Sequence, residues 1–325
     1  MKNGIIRFNF FLDQLQVLLD KAGKQKNPAL WLYQNNARTP IFMLEGLAKL
    51  YAGLHNKKKF EKIKAQFKLL EDILGAIDYY DSFAKQFSAD KKIPVAITNY
   101  MQAQSREKIQ SLNEALKEQQ WLGAGNKRVN KLRKKLKKAD WEKAEDEIKS
   151  MSRFYKAAIA EITAFGTQSN FHFSNVEADV HELRRKLRWL SIYPQALRGC
   201  IQLRRSKTPP KYLSKYLTRD IITSPFNKMP VAGDNKTLLM LEKDYFFALS
   251  WMIAELGKLK DSGLRVIAIT EALQQLSSTT KTAALRKAYG ITGSAQPTVK
   301  QILDKADAIC KTYFMEKNLE KLLIK

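Results

Sequence analysis

The sequence predicts an all-α protein, and two observations carry that prediction. Apolar residues recur at intervals of three and four along most of the 325 residues, which is the spacing of one face of a helix. No stretch alternates apolar and polar residues convincingly, so no segment is expected to be a strand. Hydrophobic residues make up 45% of the chain, so a sizeable core can form.

The first part of the chain divides into helices at its prolines, asparagines and glycines. An opening helix is broken near Pro28, and a further apolar stripe runs from Ile41 to Tyr51. The next helix is expected from Phe60 to about Leu74, with Gly75 following its end. A long amphipathic helix is expected from Asn99 to Trp121.

A basic run without an acid follows this helix, NKRVNKLRKKLKK, over residues 126–138. Val129, Leu132 and Leu136 are spaced to face inward, and the cations would then lie outside. We interpret this run as a solvated connector.

The segment richest in Gly, Ser, Thr and Asn runs from Gly166 to Asn175. Because such segments favour loops, it predicts two domains, residues 1–165 and residues 166–325. Within the second, an irregular insertion is expected at about 204–235, where prolines interrupt every pattern. The segment Leu238–Leu256 is expected to be an apolar helix that Gly257 ends.

Between the loop and the insertion lies the helix around which the chain is organised, Val180 to Tyr193. Its apolar stripe consists of Val180, Leu183, Leu187 and Leu190. Its basic stripe, on the opposite face, consists of His181, Arg184, Arg185 and Arg188. Because like charges at this spacing repel, the stripe either awaits an anion or is a solvated face. For His181, the alternative is a half-buried residue that caps or packs.

The charge balance narrows the class of partner. The chain carries 57 Lys+Arg against 32 Asp+Glu, a formal net charge of +25. A charge of this size attracts polyanions. We therefore expect an anionic partner: nucleic acid, polyphosphate or an acidic membrane surface.

Several other classes receive no support. No run approaches the roughly 18 apolar residues of a membrane span, and the N-terminal apolar run, broken by Arg7 and Asp13, does not resemble a signal peptide. Cys200 and Cys310 lie in apolar helical patterns and are expected to be buried thiols in a reducing compartment. From these three features we expect a cytoplasmic protein. We also expect no cofactor and no metal site, because the three histidines are scattered along the sequence and no glycine-rich phosphate loop is present.

The two halves of the chain echo each other. The pattern Asn35-x-x-Arg38 parallels His181-x-x-Arg184, each at an apolar helix. Farther on, both halves contain Leu-Gly followed by charged residues. Leu74-Gly75 is followed by Asp78 and Asp81, and Leu256-Gly257 is followed by Lys260 and Asp261. The repeat predicts two pseudo-symmetric antiparallel helical bundles, each of about four helices. Coincidence is the alternative, because Leu-Gly is common at helix ends.

These residues resemble the motifs of CHAD domains, the histidine-containing α-helical domains. The family pattern is H-x-x-R with further arginines and, later, L-G-x-x-R-D. The second half matches it with His181, Arg184 and Arg188, and with Lys260 in the place of the last arginine beside Asp261. The first half departs from it, because Asn35 replaces the histidine and Phe42 stands where Arg188 would be.

The resemblance implies a pair of helical bundles with a shared basic groove that binds inorganic polyphosphate without catalysis. It implies that His181, Arg184, Arg188 and Lys260 line this groove, with Arg38 as the counterpart from the first half. Charge and predicted helix face add six further candidates: Lys64, Lys68, Arg185, Arg204, Arg205 and Lys207. Association with polyphosphate granules is a further expectation from this ligand.

Three alternatives stay open. A nucleic-acid-binding protein should interleave aromatics with its basic face, and here Trp189 alone stands beside the arginines. An enzyme of the triphosphate-processing type carries E-x-E-x-K on a strand. Glu145 to Lys149 match that string, but within a helical run where the side chains would not point together. An interaction scaffold would use apolar helix faces for a partner protein that the sequence does not identify.

Overall fold

A computed structural model describes residues 2–123, 125–233, 235–293 and 297–324. The α-helices are α1 (Asn3–Ala22), α2 (Pro28–Gln34), α3 (Arg38–Leu54), α4 (Lys57–Ser88), α5 (Val95–Glu118), α6 (Lys127–Lys137), α7 (Ala144–Gln168), α8 (Glu182–Ala196), α9 (Arg219–Thr223), α10 (Lys243–Ser277), α11 (Lys281–Thr292) and α12 (Val299–Met315). A π-helical turn, Val176–His181, leads directly into α8. The all-α prediction is confirmed.

The expectation that no segment forms a strand was wrong. The strands β1 (Ile201–Arg204) and β2 (Leu239–Glu242) pair in parallel, with Ile201 opposite Leu239. Each has four residues, which is too short for an alternating pattern to be recognised. The apolar helix expected from Leu238 accordingly begins later, at Lys243, since the preceding residues are extended.

The described chain forms two compact units. Unit 1 comprises Met1–Trp141 and Arg265–Gln296, and unit 2 comprises Glu142–Leu264 and Pro297–Lys325. These bounds differ from the expected halves, residues 1–165 and 166–325, because α7 belongs to unit 2 and the end of α10 belongs to unit 1. The region of the expected insertion begins at the last residue of β1 and contains α9 and two 3-10 turns, and Asp234 lies outside the described residues.

Unit 1 is built around antiparallel neighbours in the chain, with α3 packed on α4 and α4 on α5. An aromatic cluster forms part of the core of this unit. Phe8, Tyr51 and Phe60 are fully buried there, and Trp141 packs against all three rings. Arg7 is buried with them and donates from Nη1 to the Tyr51 hydroxyl at 2.7 Å. The core therefore includes one cation whose hydrogen bond lies inside it.

Unit 2 buries the apolar stripe predicted for the central helix. Val180, Leu183, Leu187 and Leu190 are each at most 1% exposed. Tyr155 of α7 is also buried, and its hydroxyl donates to the Leu190 carbonyl oxygen at 3.1 Å. The inward face of α8 is thus fixed, so its basic stripe must lie on the opposite side.

Two expected helix ends were wrong. α4 continues through Gly75 to Ser88, and α10 continues through Gly257 to Ser277. In both helices a guanidinium group occupies the space beside the glycine. A Cβ on Gly75 would lie 2.9 Å from an Arg38 nitrogen, and one on Gly257 would lie 3.0 Å from Arg184 Nε. These glycines allow an arginine to approach and do not end a helix.

The predicted burial of both cysteines is confirmed. Cys200 and Cys310 are free thiols, and each is at most 1% exposed. Burial raises the pKa of the Cys310 thiol well above its ordinary value. In the ranges that the structure describes, no helix is both long and apolar enough to cross a membrane.

Candidate functional site

Four predicted site residues come together in unit 2, where the π-helical turn, the start of α8 and the middle of α10 meet. We call His181, Arg184, Arg185 and Lys260 the cation cluster. Three of its members, His181, Arg185 and Lys260, lie close to Glu177, one turn before His181. The pKa of Glu177 is lowered, first by its hydrogen bond with His181 and then, against the effect of its burial, by the positive charges of His181, Lys260 and Arg185.

Three members of the cation cluster have carboxylate partners. His181 Nδ1 lies 2.6 Å from a Glu177 oxygen, and Lys260 Nζ lies 3.0 Å from Asp261 Oδ1. Arg185 pairs with Glu182 at 2.7 Å on the same helix. Glu177 and Glu182 were missed at the sequence level, although their i,i+4 and i,i+3 spacing to these cations was readable.

Arg184 differs from the other members. Its Nε donates to the backbone oxygen of Ile253 at 3.1 Å, and the guanidinium packs over Gly257. Burial lowers the pKa of Arg184, and the charge of Asp261 acts in the opposite direction. Within the described part of the chain Arg184 makes no ion pair, so this half-buried cation keeps its Nη groups without a carboxylate.

Arg188 lies one turn after Arg184 on α8 and is half-buried. The other predicted residues of unit 2 follow β1. Arg205 donates from Nε and Nη2 to Asp244, a buried carboxylate, at 3.0 and 2.8 Å. Arg204 and Lys207 are exposed and form no ion pair with any residue that the structure describes.

The three predicted residues of unit 1 have acidic surroundings. Arg38 pairs with Glu71 at 2.8 Å and with Asp78 at 3.3 Å. Lys68 pairs with Asp72 at 2.6 Å. Carboxylates thus outnumber cations around Arg38, where the repeat had predicted an equivalent of the basic stripe.

The remaining predicted residue of unit 1, Lys64, pairs with Glu61 one turn earlier on α4. The shared groove between two halves stays a prediction. The geometry of each unit by itself makes the Arg184 surroundings the better candidate for holding an anion.

The string Glu145 to Lys149 lies within α7, as expected. Glu145 is exposed and Glu147 is 3% exposed, so the two carboxylates do not share a face. Among the described residues, no group of three His, Cys, Asp or Glu side chains is arranged to hold a metal ion.

Comparison of the chain with known protein families, with curated proteins and with solved structures found no match. The resemblance to CHAD domains therefore stays a prediction that depends on the motif residues. The geometry of the cation cluster is accordingly the basis for assigning a function.

Proposed function

We propose that this chain binds inorganic polyphosphate at the cation cluster of unit 2 and does not convert it chemically. One observation carries the proposal: Arg184 is a half-buried guanidinium without an ion pair among the described residues, held through Nε by the Ile253 carbonyl oxygen. A cation that has lost hydration without gaining a counter-charge is stabilised by an anion that reaches it.

The neighbours of Arg184 support a ligand with several charges. His181, Arg185 and Lys260 surround Glu177, and their ion pairs are partly exposed to solvent. Exposed ion pairs contribute little to stability, about 0 to 1 kcal/mol. A phosphate chain can therefore replace these carboxylates as the partner of His181, Arg185 and Lys260 at a small cost in free energy. It can bind Arg184 without displacing a carboxylate.

The chemistry of the cluster suits phosphates. Arginine presents a planar fork that engages two phosphate oxygens, and lysine presents a point charge. Release of counterions from the phosphate chain should supply much of the affinity, as it does with nucleic acids. The net charge of +25 would favour the approach of such a ligand at low salt.

The test compares two variants that each lose two positive charges. Arg185→Gln with Lys260→Gln removes two members of the cation cluster. Lys156→Gln with Lys258→Gln removes two exposed lysines from α7 and α10 outside the cluster. Polyphosphate binding is measured by calorimetry at several salt concentrations, and circular dichroism checks that both variants are folded.

We expect the first variant to bind polyphosphate about tenfold more weakly. Its slope of log affinity against log salt should decrease by the amount that corresponds to about one to two phosphate contacts. The second should stay within about twofold of the original chain. Equal losses in the two variants would show that only net charge matters, and the proposed site would then be wrong. Release of free phosphate during the titration would contradict the absence of catalysis.

A further inference from the structure

The helix α6 and the residue directly after it expose a row of lysines that the proposed polyphosphate site does not use. Lys127, Lys131, Lys134 and Lys138 are all exposed and follow one another at intervals of four, three and four residues. At 100° per residue they fall within about 60° of one another, on one side of the helix. We call these four residues the lysine stripe.

The opposite side of α6 is anchored in unit 1. Val129, Leu132 and Leu136 are at most 1% exposed. On one flank Arg133 donates to Asp13 of α1 at 2.6 Å. On the other flank Arg128 donates to the Gln119 carbonyl oxygen at 2.6 Å. The apolar contacts and the two arginines fix the rotation of the helix, so the lysine stripe is held facing solvent.

The lysine stripe is not neutralised by carboxylates. Several lysines elsewhere pair with an acid on their own helix, as Lys68 does with Asp72, Lys85 with Asp81 and Lys300 with Asp304. In α6 no acid is present, and in the described part of the chain no stripe lysine makes an ion pair.

Further cations surround the stripe. Lys59 donates from Nζ to the Lys138 carbonyl oxygen at 2.6 Å, which joins the first turn of α4 to the end of α6. The pKa of Lys135 is lowered by burial and then by the charges of Lys131, Arg128 and Lys62. These cations repel one another, and a polyanion that lay across them would relieve that repulsion.

We propose that the lysine stripe binds the phosphate backbone of duplex nucleic acid without reading its sequence. The stripe offers point charges along about 16 Å of a convex helix, given a rise of about 1.5 Å per residue. α6 itself has no aromatic residue. Trp141, which donates from Nε1 to the Leu136 carbonyl oxygen at 2.9 Å, packs against the buried rings of Tyr51 and Phe60, so the lysine stripe carries no aromatic of its own on which single-stranded bases could stack.

A duplex also fits this convex surface better than a flexible chain does. Its phosphates are already ordered in rows, whereas a flexible polyphosphate would lose conformational freedom to follow the stripe. Lysine contacts to phosphate position a protein on a duplex and carry no sequence information. This surface is therefore distinct in ligand and place from the cation cluster of unit 2.

The test uses Lys127→Gln, Lys131→Gln, Lys134→Gln and Lys138→Gln together. Glutamine keeps a similar helix propensity, and no buried residue of α6 is changed. The control carries Lys149→Gln, Lys156→Gln, Lys300→Gln and Lys305→Gln, four exposed lysines of unit 2. Both variants have the same net charge. Binding to a random duplex of about 20 base pairs is measured by fluorescence anisotropy against salt.

The original chain should bind with an affinity that falls steeply with salt. In the stripe variant the slope of log affinity against log salt should decrease by about three to four, at about 0.9 per phosphate contact, and affinity at roughly 0.1 M salt should fall at least tenfold. The control should keep its slope to within one contact. Equal slopes in the two variants, or no binding of duplex by the original chain, would overturn the proposal.

Two competitors complete the experiment. If single-stranded DNA or inorganic polyphosphate displaces the duplex from the original chain at lower phosphate concentration than unlabelled duplex does, the preference for a duplex is refuted. The stripe variant should still bind polyphosphate at the cation cluster. Loss of polyphosphate binding in the stripe variant alone would instead contradict the site proposed in unit 2.

Discussion

Two arginines in this protein depend on a glycine in a neighbouring helix. Arg38 packs over Gly75, and Arg184 packs over Gly257. The sequence had placed both pairs in corresponding positions of a repeat, and the duplication itself stays a prediction. The pairs differ in charge, since Glu71 and Asp78 neutralise Arg38 while Arg184 makes no ion pair within the described residues.

The first prediction concerns the space beside Gly257. In Gly257→Ala the new Cβ would lie 3.0 Å from Arg184 Nε, so the guanidinium must shift and its bond to the Ile253 oxygen must weaken. We expect the free energy of unfolding to fall by about 1 kcal/mol despite the better helix propensity of alanine. Urea denaturation measures this change, and polyphosphate affinity should fall with it.

The control for this prediction is Gly290→Ala in α11. No heavy atom lies within 4 Å of a Cβ built there. Alanine should then show its ordinary advantage and stabilise the chain by about 0.5 to 1 kcal/mol. If both substitutions stabilise the chain equally, Arg184 is not held by its packing on Gly257.

The second prediction concerns Glu45, which is 6% exposed on α3. Its Oε2 atom has no hydrogen-bond partner among the described residues. Burial raises the pKa of Glu45 to about 7, and Glu71 and Asp72 add to this effect against Lys68 and Lys49. The folded state therefore holds a proton that the unfolded state releases near 4.5. Stability from this group is complete below that pH and is lost as the pH rises through about 7.

Replacing Glu45 with glutamine should remove this dependence. Between about pH 4.5 and pH 8 the stability of Glu45→Gln should rise relative to the original chain by roughly 2 to 3 kcal/mol, at about 1.4 kcal/mol per unit of pKa shift. Urea denaturation at several pH values measures the difference. Glu145→Gln, at the exposed start of α7, is the control for the loss of one carboxylate charge. Parallel profiles for the original chain and Glu45→Gln would contradict the prediction.

At the scale of elements, the sequence predicted what depends on local periodicity. The buried stripe that runs from the π-helical turn into α8 was correct residue by residue, because the burial of Val180, Leu183, Leu187 and Leu190 follows from their spacing. The inward residues of α6 were correct for the same reason. The predictions that α4 ends at Gly75 and that α10 ends at Gly257 were wrong. In a single sequence, a glycine that ends a helix cannot be told from a glycine that makes room for an arginine side chain.

The strands failed for a different physical reason. β1 and β2 pair across a long separation, and Glu242 of β2 also donates its backbone N–H to the Leu322 oxygen at 2.8 Å. Contacts between distant parts of the chain stabilise these four-residue segments, and local patterns carry no information about them. Tertiary contacts thus determine where the short elements form, whereas hydrophobic periodicity determines where the long helices form.

The candidate site shows the same division. Sequence placed His181, Arg184 and Arg185 on one face, and their proximity followed from the helix. The resemblance had implied that Lys260 lines the same groove, but nothing in the sequence indicated that Lys260 would lie close to Glu177, nor that Asp244 would pair with Arg205. Whether a cation is available for a ligand depends on nearby acids of its own helix, whose spacing can be read from the sequence, and on carboxylates contributed by other elements, which cannot. The stripe lysines of α6, first interpreted as part of a connector, have no such carboxylates among the described residues.

At the scale of the whole molecule, the excess of positive charge is unevenly divided. Unit 1 contains 31 basic and 14 acidic residues, whereas unit 2 contains 26 and 18. The ion pairs are mostly between neighbours on exposed helix faces, where each contributes little. Repulsion among the remaining cations therefore outweighs the attraction within pairs, particularly in unit 1.

This balance predicts that monovalent salt stabilises the protein. Screening shortens the range of charge interactions from about 30 Å at 0.01 M salt to about 8 Å at 0.15 M, which weakens long-range repulsion more than contact pairs. The apparent melting temperature should rise over this range when followed by circular dichroism in potassium chloride. The variant with four glutamines in the lysine stripe should begin higher and rise less, since residues 126–138 contain eight cations and no acid. A melting temperature that falls with salt would mean that attraction within ion pairs outweighs repulsion among cations. The cations of α6 would then not destabilise the fold, and a bound polyanion would gain nothing by neutralising them.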